Sequence, residues 1–172
     1  HHSYQSYFNY NKELNFGELN KLVEESIIEI EKSTGAFVKD IFLMIETPQS
    51  MSIKLSVMKN NEGKKIIKKD VMYLIQNAKQ QLLKSNLDIG IIHIIAENYV
   101  LDNINFKFLP LDVNCKKFSI DLKFICFPKD ILKNFEQLFL KQQILINQFI
   151  CSHYVKTYDF ENNEKKRLKS KS

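Results

Sequence analysis

The stretch Ser85–Val100, "SNLDIGIIHIIAENYV", decides how the chain is read. An Asp-x-Gly delivered by an apolar strand is one way to build an ATP-phosphate loop. The Asp holds metal-bound water and the Gly lets backbone N–H groups approach phosphate. Such a loop needs an apolar strand before the Asp and small or hydroxyl residues after the Gly. Here Lys84, Ser85 and Asn86 precede Asp88, which is how a helix ends, and the β-branched Ile91 and Ile92 follow Gly90 and obstruct close approach. Asp88-Ile89-Gly90 therefore reads as a turn between a helix and a long apolar strand. No second Asp-x-Gly, no G-x-x-x-x-G-K-[ST] and no Gly-Gly occurs anywhere in the sequence. The chain is expected to bind no ATP by itself and to carry no cofactor.

Upstream of this turn, Val71, Leu74, Ile75, Ala78 and Leu82 form the apolar stripe of a helix that Asp70 can cap. Before it, "SIKLSVMK" (Ser52–Lys59) alternates, with Ile53, Leu55 and Val57 on one face and Ser52, Lys54 and Ser56 on the other, so one side should meet water. "DIFLMIE" (Asp40–Glu46) is apolar on both faces and reads as a buried strand. The first helix is "NFGELNKLVEESIIEIEKSTG", with Asn15 as cap, Glu18 three residues on and Gly35 at its end.

Downstream, "FKF" (Phe106–Phe108) reads as a short strand or bulged loop. "FSIDLKFICF" puts Phe118, Ile120, Leu122 and Phe124 on one face. Pro128 suits the first turn of a third helix buried through Ile131, Leu132, Phe135, Leu138 and Phe139. "ILINQFICSHYV" gives a last strand and a helix start near Ser152. The fold class is α+β: one compact unit with a small, at least partly antiparallel sheet and helices packed on one face.

Composition narrows the function classes. The chain has 172 residues, 44% of them apolar, and a net charge of +5. No run of 18 apolar residues exists and no charged-then-apolar leader opens the sequence, so a cytoplasmic location and no direct membrane insertion are expected. His1-His2 reads as the remnant of a purification tag. The lysine excess is diffuse except in "EKKRLKSKS" (Glu164–Ser172), which reads as a solvated end.

Cys115, Cys126 and Cys151 form no C-x-x-C pair, and neither His93 nor His153 stands in a ligand pattern, so a metal site is not expected. Ser152 and His153 are adjacent and point apart, so they make no nucleophile pair. Glu97 and Asp102 are a carboxylate pair on which nothing else converges by spacing. The aromatic residues of "FSIDLKFICF" lie on an apolar face and the only arginine is Arg167, which argues against a nucleic-acid stacking platform. No catalytic residue is assigned.

Several strings carry a resemblance. "DVMYLIQNAKQQL", "IHIIAENYVLD" with His93, Tyr99 and Asp102 in register, "IDLKFICFPKDILKNFEQLF", "INQFICSHYV" and "DIFLMIE" resemble the bacterial cell-division FtsA family of actin-like proteins over roughly Phe16 to Tyr158. The similarity centres on that family's inserted SHS2 subdomain, of the form strand-helix-strand-strand. "FLPLDVNC" keeps Pro110 but lacks the family's glycines, and Ala96 stands where proline is common.

The resemblance implies a tag remnant or disordered segment at 1–14, a helix from the actin-like core at 15–36, the SHS2 subdomain at 37–151, and the start of a core helix with a basic tail at 152–172. It implies a protein–protein interaction module for self-association, a homodimer included, and for recruitment of later division proteins at the cytoplasmic face of the inner membrane. FtsZ would be engaged only through parts with no counterpart here. ATP and Mg would belong to a longer parent protein. The contact region expected on this basis is Thr47 to Lys65, with Ile53, Lys54 and Leu55 in the strand and Lys64 and Lys65 after it; the plainer reading of these residues is a solvated hairpin. Two other readings stand beside it: a small-ligand-binding SHS2 domain with a cleft near His93 and Glu97, and the SHS2 subdomain of a PilM-like pilus-assembly protein.

Overall fold

The computed structural model describes residues 15–155. The expectations for 1–14 and for the basic tail lie outside the described residues. In chain order the elements are α1 (Phe16–Thr34), β1 (Asp40–Ile45), β2 (Met51–Asn60), α2 (Lys68–Ser85), β3 (Ile89–Leu101), β4 (Ile104–Phe106), β5 (Lys117–Pro128), α3 (Lys129–Leu140) and β6 (Leu145–Cys151). The α+β class is as expected; the short β4 lies at Ile104–Phe106 and shares only Phe106 with the "FKF" stretch. The single unit is not: the chain divides into a unit of Gln49–Lys129 and a second built from the chain on either side of it. The division falls at Pro48/Gln49 and Lys129/Asp130.

The Gln49–Lys129 unit is a four-stranded antiparallel sheet in the order β2-β5-β3-β4. Its core follows from the alternation of β5: Phe118, Ile120, Leu122, Phe124 and Cys126 are all essentially inaccessible, and Leu74, Ala78 and Leu82 of α2 belong to the same buried cluster. Ile125 and Phe127 are buried too, so the end of β5 is closed on both faces.

The helix α2 begins one turn earlier than Asp70 was expected to place it. Asp70 is not the N-cap residue but lies three residues inside, where its Oδ2 accepts from the Ile67 N–H at 3.0 Å and its own N–H donates to the Ile67 carbonyl at 3.0 Å. Only half of a capping box is possible, because Ile67 has no polar side chain to return the bond. The Asp102–Asn103 connection of β3 to β4 has φ of 45° and 72°, the two positive values that a two-residue type I′ hairpin turn needs.

The stretch Ser85–Val100 is a helix end, a turn and a strand. Asn86 closes α2, and the Asp88 carbonyl accepts from the Lys129 N–H at 2.8 Å. Asp88 thus takes part in the joint where β5 hands over to α3, and Ile89 is buried. Pro128 is the last residue of β5, not the first of α3.

In the second unit β1 and β6 pair in parallel, with one register shift at Ile41/Phe42. Parallel neighbours cannot be joined by a tight turn. The crossover here contains the whole Gln49–Lys129 unit and then α3. The helix α1 is capped as its sequence proposed: Asn15 Oδ1 accepts from the Gly17 N–H at 3.0 Å, and Gly35 adopts φ 67° with its N–H on the Glu31 carbonyl. Leu19 of α1 is buried, and the Phe16 ring meets Phe135 of α3 edge-on at 5.7 Å. The expectation that "DIFLMIE" is buried on both faces is corrected. Phe42 is 65% and Met44 53% exposed, and only Ile45 is fully buried, because two strands present a face that no described element covers.

Candidate functional site

The strand β2 ends the four-stranded sheet. All ten of its residues pair with β5, in one unbroken register from Met51↔Cys126 to Asn60↔Lys117, and among the described residues no strand pairs with its other side. Ile53 and Leu55 are half-buried on the face that α2 covers, and Lys54 lies on the opposite face. The structure therefore puts the three expected contact residues of the strand on a sheet edge, split between its two faces.

Both lysines of β2 that carry ion pairs are drawn away from that edge. The Lys54 ammonium reaches back across the open face to Glu97 of β3 at 2.8 Å. Lys59 bonds to Asp70 at the start of α2. The Lys59 ammonium, and then the Ile67 N–H, hold the Asp70 carboxyl below its usual range. Glu97 sits where the β3–β5 register jumps between Ala96 and Asn98, so the extra residue aims its carboxylate at Lys54. A polar row crosses the same face: Ser56 Oγ donates to Asp121, Asn98 Nδ2 donates to the other Asp121 oxygen at 3.3 Å and to Asn105 Oδ1 at 3.0 Å.

The remaining two expected residues, Lys64 and Lys65, stand in the turn that follows β2. That turn is braced against the segment before β5. The Asn61 N–H donates to Lys116, the Gly63 N–H to Cys115, and the Ile66 N–H to Val113, while Lys65 bridges to Asn114. Glu62 (φ 52°) and Gly63 (φ 76°) supply the left-handed pair of conformations that the turn requires. Asp102 completes the brace from the next hairpin. Its carboxylate accepts from the Lys117 N–H at 2.8 Å and the Lys116 N–H at 2.9 Å, and these two bonds lower its pKa.

Lys64 pairs with Glu62 at 2.8 Å, which raises the lysine's pKa and lowers the glutamate's. Among the described residues the ammonium–carboxylate pairs within 4.0 Å are those of Lys54, Lys59 and Lys64. Lys65, Lys116 and Lys117, at the same end of the sheet, have none.

The sequence reading found β2 and its turn but not Glu97, Asp70, Asp102, Lys116 or Lys117 as their partners. Glu97 depends on a bulge and Lys116 on a long-range pairing, neither of which leaves a local signal. Asp102-Asn103 could have been found, since two residues tolerant of positive φ between apolar runs mark a hairpin.

The structure does not bring the other flagged groups together as a reactive site. His93 pairs with Ile125 in mid-sheet, and burial pushes its pKa down. Glu97 is engaged by Lys54 and Asp102 by backbone amides. All three cysteines are buried, and burial pushes Cys126 up to about 11. Among the described residues no group of three or more His, Cys, Asp or Glu could hold a metal ion, and no helix is long and apolar enough to cross a membrane.

The chain matches no protein-family model, and no curated protein matches it significantly.

Proposed function

We propose that the chain is a protein–protein interaction module of an FtsA-like cell-division protein, with its Gln49–Lys129 unit in the role of the SHS2 subdomain. On this reading it works at the cytoplasmic face of the membrane at the division site, associating with other copies and recruiting later division proteins. Nucleotide and Mg2+ belong to other parts of a parent protein.

The observation that supports the reading is β2: a ten-residue edge, free of proline and of register shifts. An edge of this kind offers a row of backbone donors and acceptors to an incoming strand. Two copies pairing edge to edge would meet as identical surfaces about a two-fold axis.

Amide hydrogen exchange read alongside sedimentation velocity tests this. Alternate amides of β2, those pointing away from β5, should exchange fast at low concentration and slow down as the chain associates. Exchange in β2 that is the same at low and high concentration overturns the reading.

A further inference from the structure

Sheet edges in folded proteins are normally guarded by bulges, by prolines or by lysines projecting past the edge. The two sides of this sheet differ in that respect. On the β4 side, β4 covers β3 only at Tyr99–Leu101, and both register shifts of the β3–β5 ladder fall ahead of that stretch, at Ile91/His93 and Ala96/Asn98. On the other side, β2 has no shift and no proline, and its Lys54 and Lys59 are tied inward to Glu97 and Asp70. The usual guards are present on one side and disarmed on the other.

The surroundings of the β2 edge are chemically uneven along its length. At its beginning, Ile53 and Leu55 offer half-buried apolar surface on the α2 side. At its end, Lys65, Lys116 and Lys117 stand without carboxylate partners. Of the acids at that end, Glu62 is paired with Lys64 and Asp70 with Lys59, Asp102 accepts from the Lys116 and Lys117 amides and feels their ammonium charges at longer range, and Asp112 stands beside Ile66. Lys117 lies directly across from Asn60, and the Asn61 N–H binds the Lys116 carbonyl at 2.7 Å, so these charges sit beside the last residues of β2.

Resting on the edge reading above, we propose that the partner of β2 is an extended segment with apolar side chains at alternate positions and carboxylates at the end beside the 61–65 turn. The alternation is set by the pleat: every second residue of an added strand falls on the α2 side, next to Ile53 and Leu55. The carboxylates answer Lys65, Lys116 and Lys117, whose ammonium groups have no carboxylate within 4.0 Å among the described residues. Antiparallel addition is the slightly stronger pairing, so the carboxylates lie at the partner's N-terminal end.

Three synthetic peptides test this against the intact chain: alternating valine and threonine headed by two glutamates, the same peptide headed by two lysines, and the glutamate peptide with a central proline. Titration followed by amide exchange should show the glutamate peptide protecting β2. The lysine peptide should bind about tenfold more weakly, as two partly exposed ion pairs are replaced by repulsions. The proline peptide should fail. High salt should narrow the difference. Lys65→Glu combined with Lys116→Glu should reverse the preference.

Equal binding of the glutamate and lysine peptides, with β2 protected by both, overturns the charge assignment and leaves the edge reading standing. Protection of other elements but not β2 by every peptide overturns both. A parallel arm uses vesicles of anionic phospholipid. Lysine-dependent vesicle binding without any glutamate-peptide protection of β2 would assign the lysines to a lipid surface and overturn the proposal.

Discussion

The two sheets of this protein spend similar apolar sequence to different ends. In the β2-β5-β3-β4 sheet the apolar face is closed by α2, and the opposite face carries the polar row of Lys54, Glu97, Ser56, Asp121 and Asn98. In the β1–β6 pair the face itself is open: Phe42 and Met44 are exposed on a strand that reads in sequence as one of the most hydrophobic in the chain. Strand count and cover make the difference. Three or more strands with a helix across one face can bury a core independently, whereas two strands are marginal, and parallel strands are normally covered on both sides. A strand's apolar content therefore states how much cover it is built for, and only its neighbours decide how much it receives.

Truncating side chains in the two sheets should break or confirm this contrast most forcefully. Leu122→Ala and Leu74→Ala remove residues that are 1% and 2% exposed from the covered face. Each should cost about 2–5 kcal/mol, the usual range for a leucine cavity. Phe42→Ala, although it removes more atoms, should change stability by no more than about 0.5 kcal/mol, as at an ordinary surface site. Urea denaturation followed by circular dichroism compares the three. A large loss from Phe42→Ala would show that its face is covered in solution, and the contrast would fail.

Acid should next separate the braced end of the four-stranded sheet from the rest. The carboxyl pKa values of Asp70 and Asp102 are lowered, the first mainly by the Lys59 ammonium and the second by the Lys117 and Lys116 amides. A carboxylate with a depressed folded-state pKa binds its proton more readily in the unfolded chain. Its contribution is therefore present above the unfolded value of about 4 and is lost as pH falls through the lower folded value. Urea midpoints should drop as the pH is taken from neutrality to below about 3, and Asp70→Asn should flatten that drop. At neutral pH the same substitution should cost no more than about 1 kcal/mol, because an asparagine oxygen can still accept from the Ile67 N–H and only the charge facing Lys59 and the helix start is lost. A pH profile unchanged by Asp70→Asn would mean that this carboxylate does not hold the end of the sheet.

How much of this was legible beforehand follows from which forces are local. Periodicity located the helices and long strands, because the stripe of α2 and the alternation of β2 and β5 are written in adjacent residues. Asn15 and Gly35 announced the limits of α1 for the same reason. The partition into two units was hidden, since nothing in "DIFLMIE" says that its partner is a strand about a hundred residues away rather than the next strand along. The expected contact residues Ile53, Lys54, Leu55, Lys64 and Lys65 do fall on an edge strand and its turn. What makes that edge distinctive is the inward ties of Lys54 and Lys59, and those depend on a bulge in β3 and on the start of α2.

The smallest expected effect bears on the open edge most directly. The Lys54 side chain is 69% exposed and that of Glu97 33%, so their pair contributes at most about 1 kcal/mol. Glu97→Gln should accordingly leave the denaturation midpoint almost unchanged. It should nevertheless weaken strand addition to β2 several-fold, because a released Lys54 ammonium is free to project past the edge and act as the guard it is now kept from being. Lys54→Gln removes pair and guard together, and should bind the glutamate-headed peptide about as well as the unaltered chain. The two substitutions break the same ion pair and differ only in whether a lysine is left at the edge. Equal affinities for both variants would show that the tie to Glu97 has no bearing on the edge, whereas a loss confined to Glu97→Gln would identify that one carboxylate as what keeps β2 open.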